Sequence, residues 1–481
     1  MSIVRILCLA SIWNVCLSSF AINVSVDENV EFISAICRTA GFEEYIDDTN
    51  QSYANAVDSL MSPYKGHDAI KYLTKVRNKQ GVGFDAIANL AVHTEIVNGN
   101  LILKDGADLS KVDSRWESGQ DKEIVLLLND LYHKSNFSKF FNDNASFYEK
   151  VSSNGQELLS QCDIDWLDNF FGKKLSNSRV VVSLLNCGNY GMTQKLQNNP
   201  DEAVIIVCCT NLDEQNIPVF NSFRNQSLIV HESSHPMTNP LIDSNLENFN
   251  GNIETMASLM SKELRGGAYA GGRTMMAESM VRTVEIMYKK AHSKGYDEES
   301  AESEIKRLMS RGFMFIPEVY EGFTIYVENR EQYPIIDNIM PLIIEKINNV
   351  DVAARYAEYI DDTPTLIGCS MPMDAKDIAP SDSIKISFYF DKPIRKGPWG
   401  WRNYNDNEDI EPEKVTPKIS KDGKEIIVEI EATKPNSEYG FGIDGYLFTG
   451  LKGYPAKGSQ DVHFFTGDKP ENLRFIGNLQ Q

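Results

Sequence analysis

The chain has 481 residues, 42% hydrophobic, 10% aromatic and 24% charged, a globular composition with enough apolar material for more than one core. Its formal net charge of -21 is repelled by nucleic acid and by anionic membrane surfaces, so neither is expected as a partner. After the first residues no stretch offers about 18 uninterrupted apolar positions, so no membrane insertion is expected.

The opening stretch, MSIVRILCLASIWNVCLSSFA, sets Arg5 ahead of an apolar run and ends on small residues, Ser19 and Ala21, where a signal peptidase reads. Residues 1–21 are therefore expected to be a secretory signal, leaving a mature chain that is exported to the periplasm or beyond the cell. Six cysteines remain after it, Cys37, Cys162, Cys187, Cys208, Cys209 and Cys369. With no CxxC spacing among them, they indicate neither a zinc ribbon nor a dense disulfide framework.

From about residue 28 to 175 the periodicity is mostly helical. VEFISAICRTAG repeats apolar residues every three to four positions and stops at Gly41, a plausible C-cap, and KEIVLLLNDLYHKSNFSKFFNDNASFYEKV continues the pattern for several turns. Two β-branched runs follow, RVVVSLLN at 179–186 and AVIIVCCT at 203–210, which read as buried neighbouring strands. Helical patterns then return as far as about residue 362. The expected fold class is α+β: a helix-rich domain with a small sheet over 22–362, divided into a helical part 22–175 and a site-bearing part 176–362.

Past residue 362 the texture changes. DSIKISFYF alternates Ile384, Ile386, Phe388 and Phe390 with polar neighbours, and VTPKISKDGKEIIVEI reads as two strands around Asp422-Gly423. SEYGFGID and VHFFTG add two more, so an all-β sandwich is expected over 363–470. The stretch CSMPMDAKDIAPSDSIKISFYFDKPI resembles the bacterial Ig-like domains appended to secreted and surface proteins, over roughly 363–468. That resemblance implies a spacer or docking unit without catalytic residues.

The chemistry concentrates in LIVHESSHPMTNP, residues 228–240. Positions i and i+4 share one face of an α-helix, so His231 and His235 can aim both imidazoles at one ion while Glu232 turns to an adjacent water. Two neutral imidazoles and a carboxylate hold Zn²⁺ and leave a fourth position for water, which Glu232 would deprotonate as general base before passing the proton to a leaving amine. Pro236 dissents: the residue before a proline is pushed out of the α region, so the helix is expected to end at or just before His235.

A third ligand is needed, and the extension HExxHxxGxxH is missing. In GRTMMAESMVRTVEIMY, Glu278 and Glu285 lie seven apart among apolar residues, with Glu278 preferred, Glu285 next, and an ordinary ion pair to Arg282 as the plain alternative. NCGNYGM follows the first expected strand; a strand along the cleft would offer backbone groups to an extended substrate, with the Tyr190 hydroxyl or Asn189 amide as oxyanion donor. His93 reads as a satisfied core group, and His67, His133, His292 and His463 as surface or turn residues.

In order along the chain, VEFISAICRTAGFEEY, NFSKFFNDNASFYEK, CGNYGM, HESSHPMTNP and AESMVRTVEIMY resemble the landmarks of a family of secreted bacterial proteins known as a domain of unknown function, matching over about 28–360. That family carries HExxH and is similar to zinc metallopeptidases of the gluzincin kind. The resemblance implies a zincin-like fold, zinc ligands at His231, His235 and Glu278, Glu232 as general base, and a peptide or protein substrate. Pro236 departs from the family pattern, where a small or polar residue stands. Two alternatives remain: an inactive surface or binding protein that keeps the fold, favoured by Pro236, and a zinc hydrolase acting on non-protein amide or ester bonds.

Overall fold

The two β-branched runs form parallel neighbours in a mixed sheet. The computed structural model describes residues 22–174, 178–197, 202–220, 223–265, 269–395, 402–403 and 417–467, so the expected signal segment 1–21 lies outside the described residues. By internal contacts the chain divides into two units, Met1–Met237 and Thr238–Gln481.

The first unit contains strands β1 (Asn23–Ser25), β2 (Thr94–Val97), β3 (Asn100–Leu103), β4 (Ser178–Ser183), β5 (Tyr190–Gln194) and β6 (Glu202–Cys208). Its main sheet runs β1-β4-β6-β5, with β1, β4 and β6 parallel and only the edge strand β5 antiparallel. Val180 to Val182 and Val204 to Val207 are buried in one core with Phe32, Ile33 and Ile36 of the helix Glu28–Thr39. Parallel strands covered on both faces read as continuous apolar runs, which is why these two were visible in the sequence.

The long helical pattern is three helices, Gln120–Ser135, Phe137–Asp143 and Ala145–Ser160, broken at Asn136, whose φ is 53°, and at Asn144. The stretch expected to be mostly helical also holds a hairpin, β2 paired antiparallel with β3 around Asn98-Gly99, both at positive φ. Glu31 is fully buried and accepts hydrogen bonds from the Tyr53 hydroxyl at 2.8 Å and the Leu184 amide at 2.9 Å.

The second unit begins with helices, among them Asn252–Leu259, Gly272–His292, Glu298–Met309, Ile316–Glu328 and Val352–Asp362. Strands follow: β7 (Leu366–Cys369), β8 (Ser381–Phe390), β9 (Arg402–Asn403), β10 (Lys418–Ile419), β11 (Glu425–Ala432), β12 (Ser437–Asp444) and β13 (Ser459–Thr466). They make two antiparallel sheets, β10-β11-β8-β7 and β13-β12-β9. Ile386, Phe388 and Val428 from one and Phe441, Val462 and Phe464 from the other share a single core, so the alternation at 384–390 points inward as expected.

These sheets are fastened to the helices of their own unit. The Asp362 carboxylate, at the end of Val352–Asp362, accepts the backbone amides of Lys452 at 2.8 Å and Tyr454 at 3.3 Å. Lys457 Nζ lies 2.7 Å from Glu263, and the Tyr359 and Tyr454 rings meet edge to face at 5.4 Å. Among the described residues, no helix is long and apolar enough to cross a membrane.

Candidate metal centre

The motif sits on one uninterrupted helix, Phe223–Asp243, which runs through Pro236 and Pro240. The expected break at His235 is thus corrected. A proline in a helix removes one amide donor and crowds the carbonyl four residues earlier, at a cost of about 3 kcal/mol, without forcing termination. Burial of Ile229, Val230, Thr238 and Ile242 along the same helix offsets that cost.

The continuous helix brings the motif residues together as their spacing requires. His231 and His235 point Nε2 atoms at one another across 3.2 Å, with rings 79° apart and centroids at 4.9 Å. Glu232 Oε2 lies 4.0 Å from His235 Nε2, and one ligand atom from each of the three residues falls within 4.8 Å of the others. Two nitrogens each about 2.0–2.1 Å from a tetrahedral zinc would stand roughly 3.3 Å apart, so the imidazole pair already has a zinc-like separation. Glu232 is buried at 6% exposure, and the small Ser233 and Ser234 behind it are fully buried. Ser234 donates back to the Val230 carbonyl at 2.7 Å, a bond that keeps its hydroxyl satisfied inside the helix.

The edge strand β5 packs directly on this helix. A Cβ at Gly191 would fall 2.0 Å from the Glu232 carbonyl oxygen, so only glycine permits the approach. That carbonyl is the one that position 236 would have served as donor had it not been proline. The sequence contained this signal, a glycine inside a strand and a proline four residues after Glu232, but its meaning depends on pairing the two segments.

Successive side chains of a strand point to opposite faces, so with Gly191 against the helix, Tyr190 points away from it. Tyr190 packs into the core on the other face, with its hydroxyl near Gly188. Burial, then the charges of Glu44 and Asp85, raise its pKa and keep the phenol neutral. The expected oxyanion role of Tyr190 draws no support from this placement. Asn189 is oriented by its Oδ1, which accepts the Cys208 amide at 2.8 Å.

Glu278 lies in the helix Gly272–His292 of the second unit, buried at 8% exposure, and its Oε2 accepts from Arg282 Nη2 at 2.8 Å. Glu285, two turns further on, is half-buried. His93 is buried as expected: the Lys195 amide donates to its Nε2 at 3.2 Å, so Nδ1 carries the proton toward the Asn89 carbonyl at 2.8 Å. Burial lowers its pKa, in keeping with this neutral form. His67 caps the helix Asp68–Gln80, His133 bonds Asn100, and His292 stacks on Tyr288 at 4.0 Å. His463 departs from expectation: it is 2% exposed, held between Asp374 and Glu438, because β13 is covered on both faces and its burial shows no alternation.

No curated protein and no solved structure matches the chain. Residues 21–346 match the family model described as "Domain of unknown function (DUF4932)", which is more than half of the 481 residues, and the chain belongs to that family.

Proposed function

We propose that the chain is a secreted zinc-dependent metallopeptidase with a zincin-like fold and a C-terminal Ig-like domain. The observation that carries this reading is the His231, Glu232 and His235 group on one continuous helix, with imidazole nitrogens 3.2 Å apart. The continuation of the helix through Pro236 removes the feature that favoured an inactive relative.

The two imidazoles of His231 and His235 have donor chemistry and a separation that fit zinc, and the third ligand we propose is the carboxylate of Glu278. A buried carboxylate requires a cation, and Arg282 occupies that role for Glu278 in this structure. Bound by these residues, zinc would supply Lewis acidity to a peptide carbonyl and lower the pKa of water toward ~7. Glu232 takes the proton from the attacking water as the new C–O bond forms and delivers it to the amine as the C–N bond breaks. Its burial at 6% exposure keeps that proton from bulk solvent during transfer. The edge strand β5, which pairs with β6 alone in its sheet, provides backbone groups to which an extended substrate can add as a further strand beside Glu232.

The test is peptide-library cleavage read by mass spectrometry, with wild type compared with Glu232→Gln, with and without a chelator. Cleavage that falls by roughly 100-fold or more in the variant, and that a chelator removes and zinc restores, supports the reading. Cleavage indifferent to Glu232→Gln, or none by zinc-supplied wild type, overturns it. Adding ester and cell-wall amide substrates to the same screen decides which bonds are hydrolysed.

A further inference from the structure

In a chain of net charge -21, arginines ordinarily find acidic partners, yet one cluster in the second unit does not. Its frame is Phe313, buried between the Tyr269 ring at 5.6 Å and the Arg282 guanidinium, whose Cζ lies 4.6 Å from the ring centroid. The neighbouring Gly312, at φ +105°, is pressed against Leu264, with a Cβ position 2.5 Å from that side chain. This contact sets Arg311 beside Arg265, the residue after Leu264, which itself has φ 54°, an uncommon backbone conformation for arginine.

Arg282 and Arg307 are neutralised by Glu278 at 2.8 Å and Glu304 at 3.2 Å. Among the described residues, Arg265 and Arg311 make no side-chain hydrogen bond and no ion pair. The intervening residues 266–268 are Gly-Gly-Ala and carry no charge. Arg311 is half-buried, and its pKa is lowered by that burial first and then by the guanidiniums of Arg282, Arg307 and Arg265. A partly desolvated guanidinium among like charges, without an acceptor, is costly unless an anion completes it.

We infer that Arg311 and Arg265, framed by Phe313 and Arg282, form a carboxylate-binding site. Its surplus is two positive charges, since the other two arginines are already paired, and a planar guanidinium suits the bidentate grip of a single carboxylate. The identity of the ligand rests on the peptidase reading: the carboxylate belongs to a peptide substrate, either its chain terminus or an acidic side chain. Arg282 links this site to Glu278 through their ion pair, so the anion would be held one side chain away from the proposed third ligand.

Equilibrium dialysis of the full chain carrying Glu232→Gln, which prevents turnover, tests the site with three probes: N-acetyl-tetraalanine as free acid, the same peptide as amide, and N-acetyl-Ala-Glu-Ala-Ala amide. Binding about tenfold tighter for the free acid than for the neutral amide supports the site and assigns it to chain termini. Equal gains for the free acid and the Glu peptide support it and assign it to any carboxylate. In both cases Arg311→Met abolishes the preference, Arg311→Lys keeps part of it, and Arg265→Met weakens it. Because Arg311 has no partner to lose and its unpaired charge is costly, its Met variant should keep or raise the wild-type urea midpoint. Equal binding of all three probes, or an unchanged preference in Arg311→Met, overturns the inference. Neither result depends on catalysis: a chain that prefers acids but never cleaves would fail the peptidase reading alone.

Discussion

The carbonyl oxygen of Glu232 lies 2.0 Å from the point where a side chain on Gly191 would begin, so the edge strand and the motif helix touch backbone to backbone at the proposed general base. The contact ties the position of Glu232 to the register of β5, whose residues Tyr190 and Gly191 pair with Ile206 and Ile205. It also means that a mutation in the strand should be felt at the metal centre.

Gly191→Ala should lower stability by about 1–3 kcal/mol in urea unfolding, since the methyl group must push the helix and the strand apart. The same displacement should weaken zinc binding. A variant with wild-type stability and zinc affinity would show that the two elements do not meet in solution.

Pro236→Ala should raise stability by about 1–3 kcal/mol, because alanine restores an amide donor toward the Glu232 carbonyl and removes the ring clash. Urea unfolding reads the effect. A loss of stability instead would mean that the proline is needed to leave that carbonyl facing Gly191.

Glu31 predicts a pH dependence. Burial raises its carboxyl from 4.5 to about 7, opposed by the hydrogen bonds from Leu184 and Tyr53. Below the unfolded value both states hold the proton and there is no penalty. As pH rises from about 4.5 to about 7 the unfolded chain releases its proton first, so the folded state loses up to about 3 kcal/mol of relative stability. Glu31→Gln, which can still accept from Leu184, should therefore stabilise the protein at pH 8 and do little at pH 4. Equal effects at both pH values would refute this account.

Asp362→Ala should destabilise the second unit by about 1–2 kcal/mol, because the amides of Lys452 and Tyr454 lose their acceptor. Asp362→Asn keeps an acceptor oxygen and should lose less. If both variants match wild type in urea unfolding, the strands are not fastened to their helices by this carboxylate.

How much of this was legible depended on the period of each segment. The i, i+4 spacing of His231 and His235 needs only a helix to be meaningful, and the alternation at Ile384, Ile386, Phe388 and Phe390 needs only one covered face. Asp422-Gly423 likewise announced the turn between β10 and β11. The local rule at Pro236 failed because packing of Ile229, Val230, Thr238 and Ile242 along the helix outweighs the missing amide. The direction of Tyr190 was not legible, because it follows from strand parity and from what covers each face, neither of which its neighbours in sequence reveal. Asn98-Gly99 was an available hairpin signal inside a helical stretch, whereas β1, three residues long, offers too little periodicity to register.

The most direct test of the central claim is the zinc content of the purified full chain, measured for wild type, Glu232→Ala, His231→Ala and Glu278→Ala. The account predicts about one zinc per chain in wild type and Glu232→Ala, and loss of zinc from His231→Ala and Glu278→Ala. A wild-type chain that takes up no zinc when the metal is supplied would contradict it.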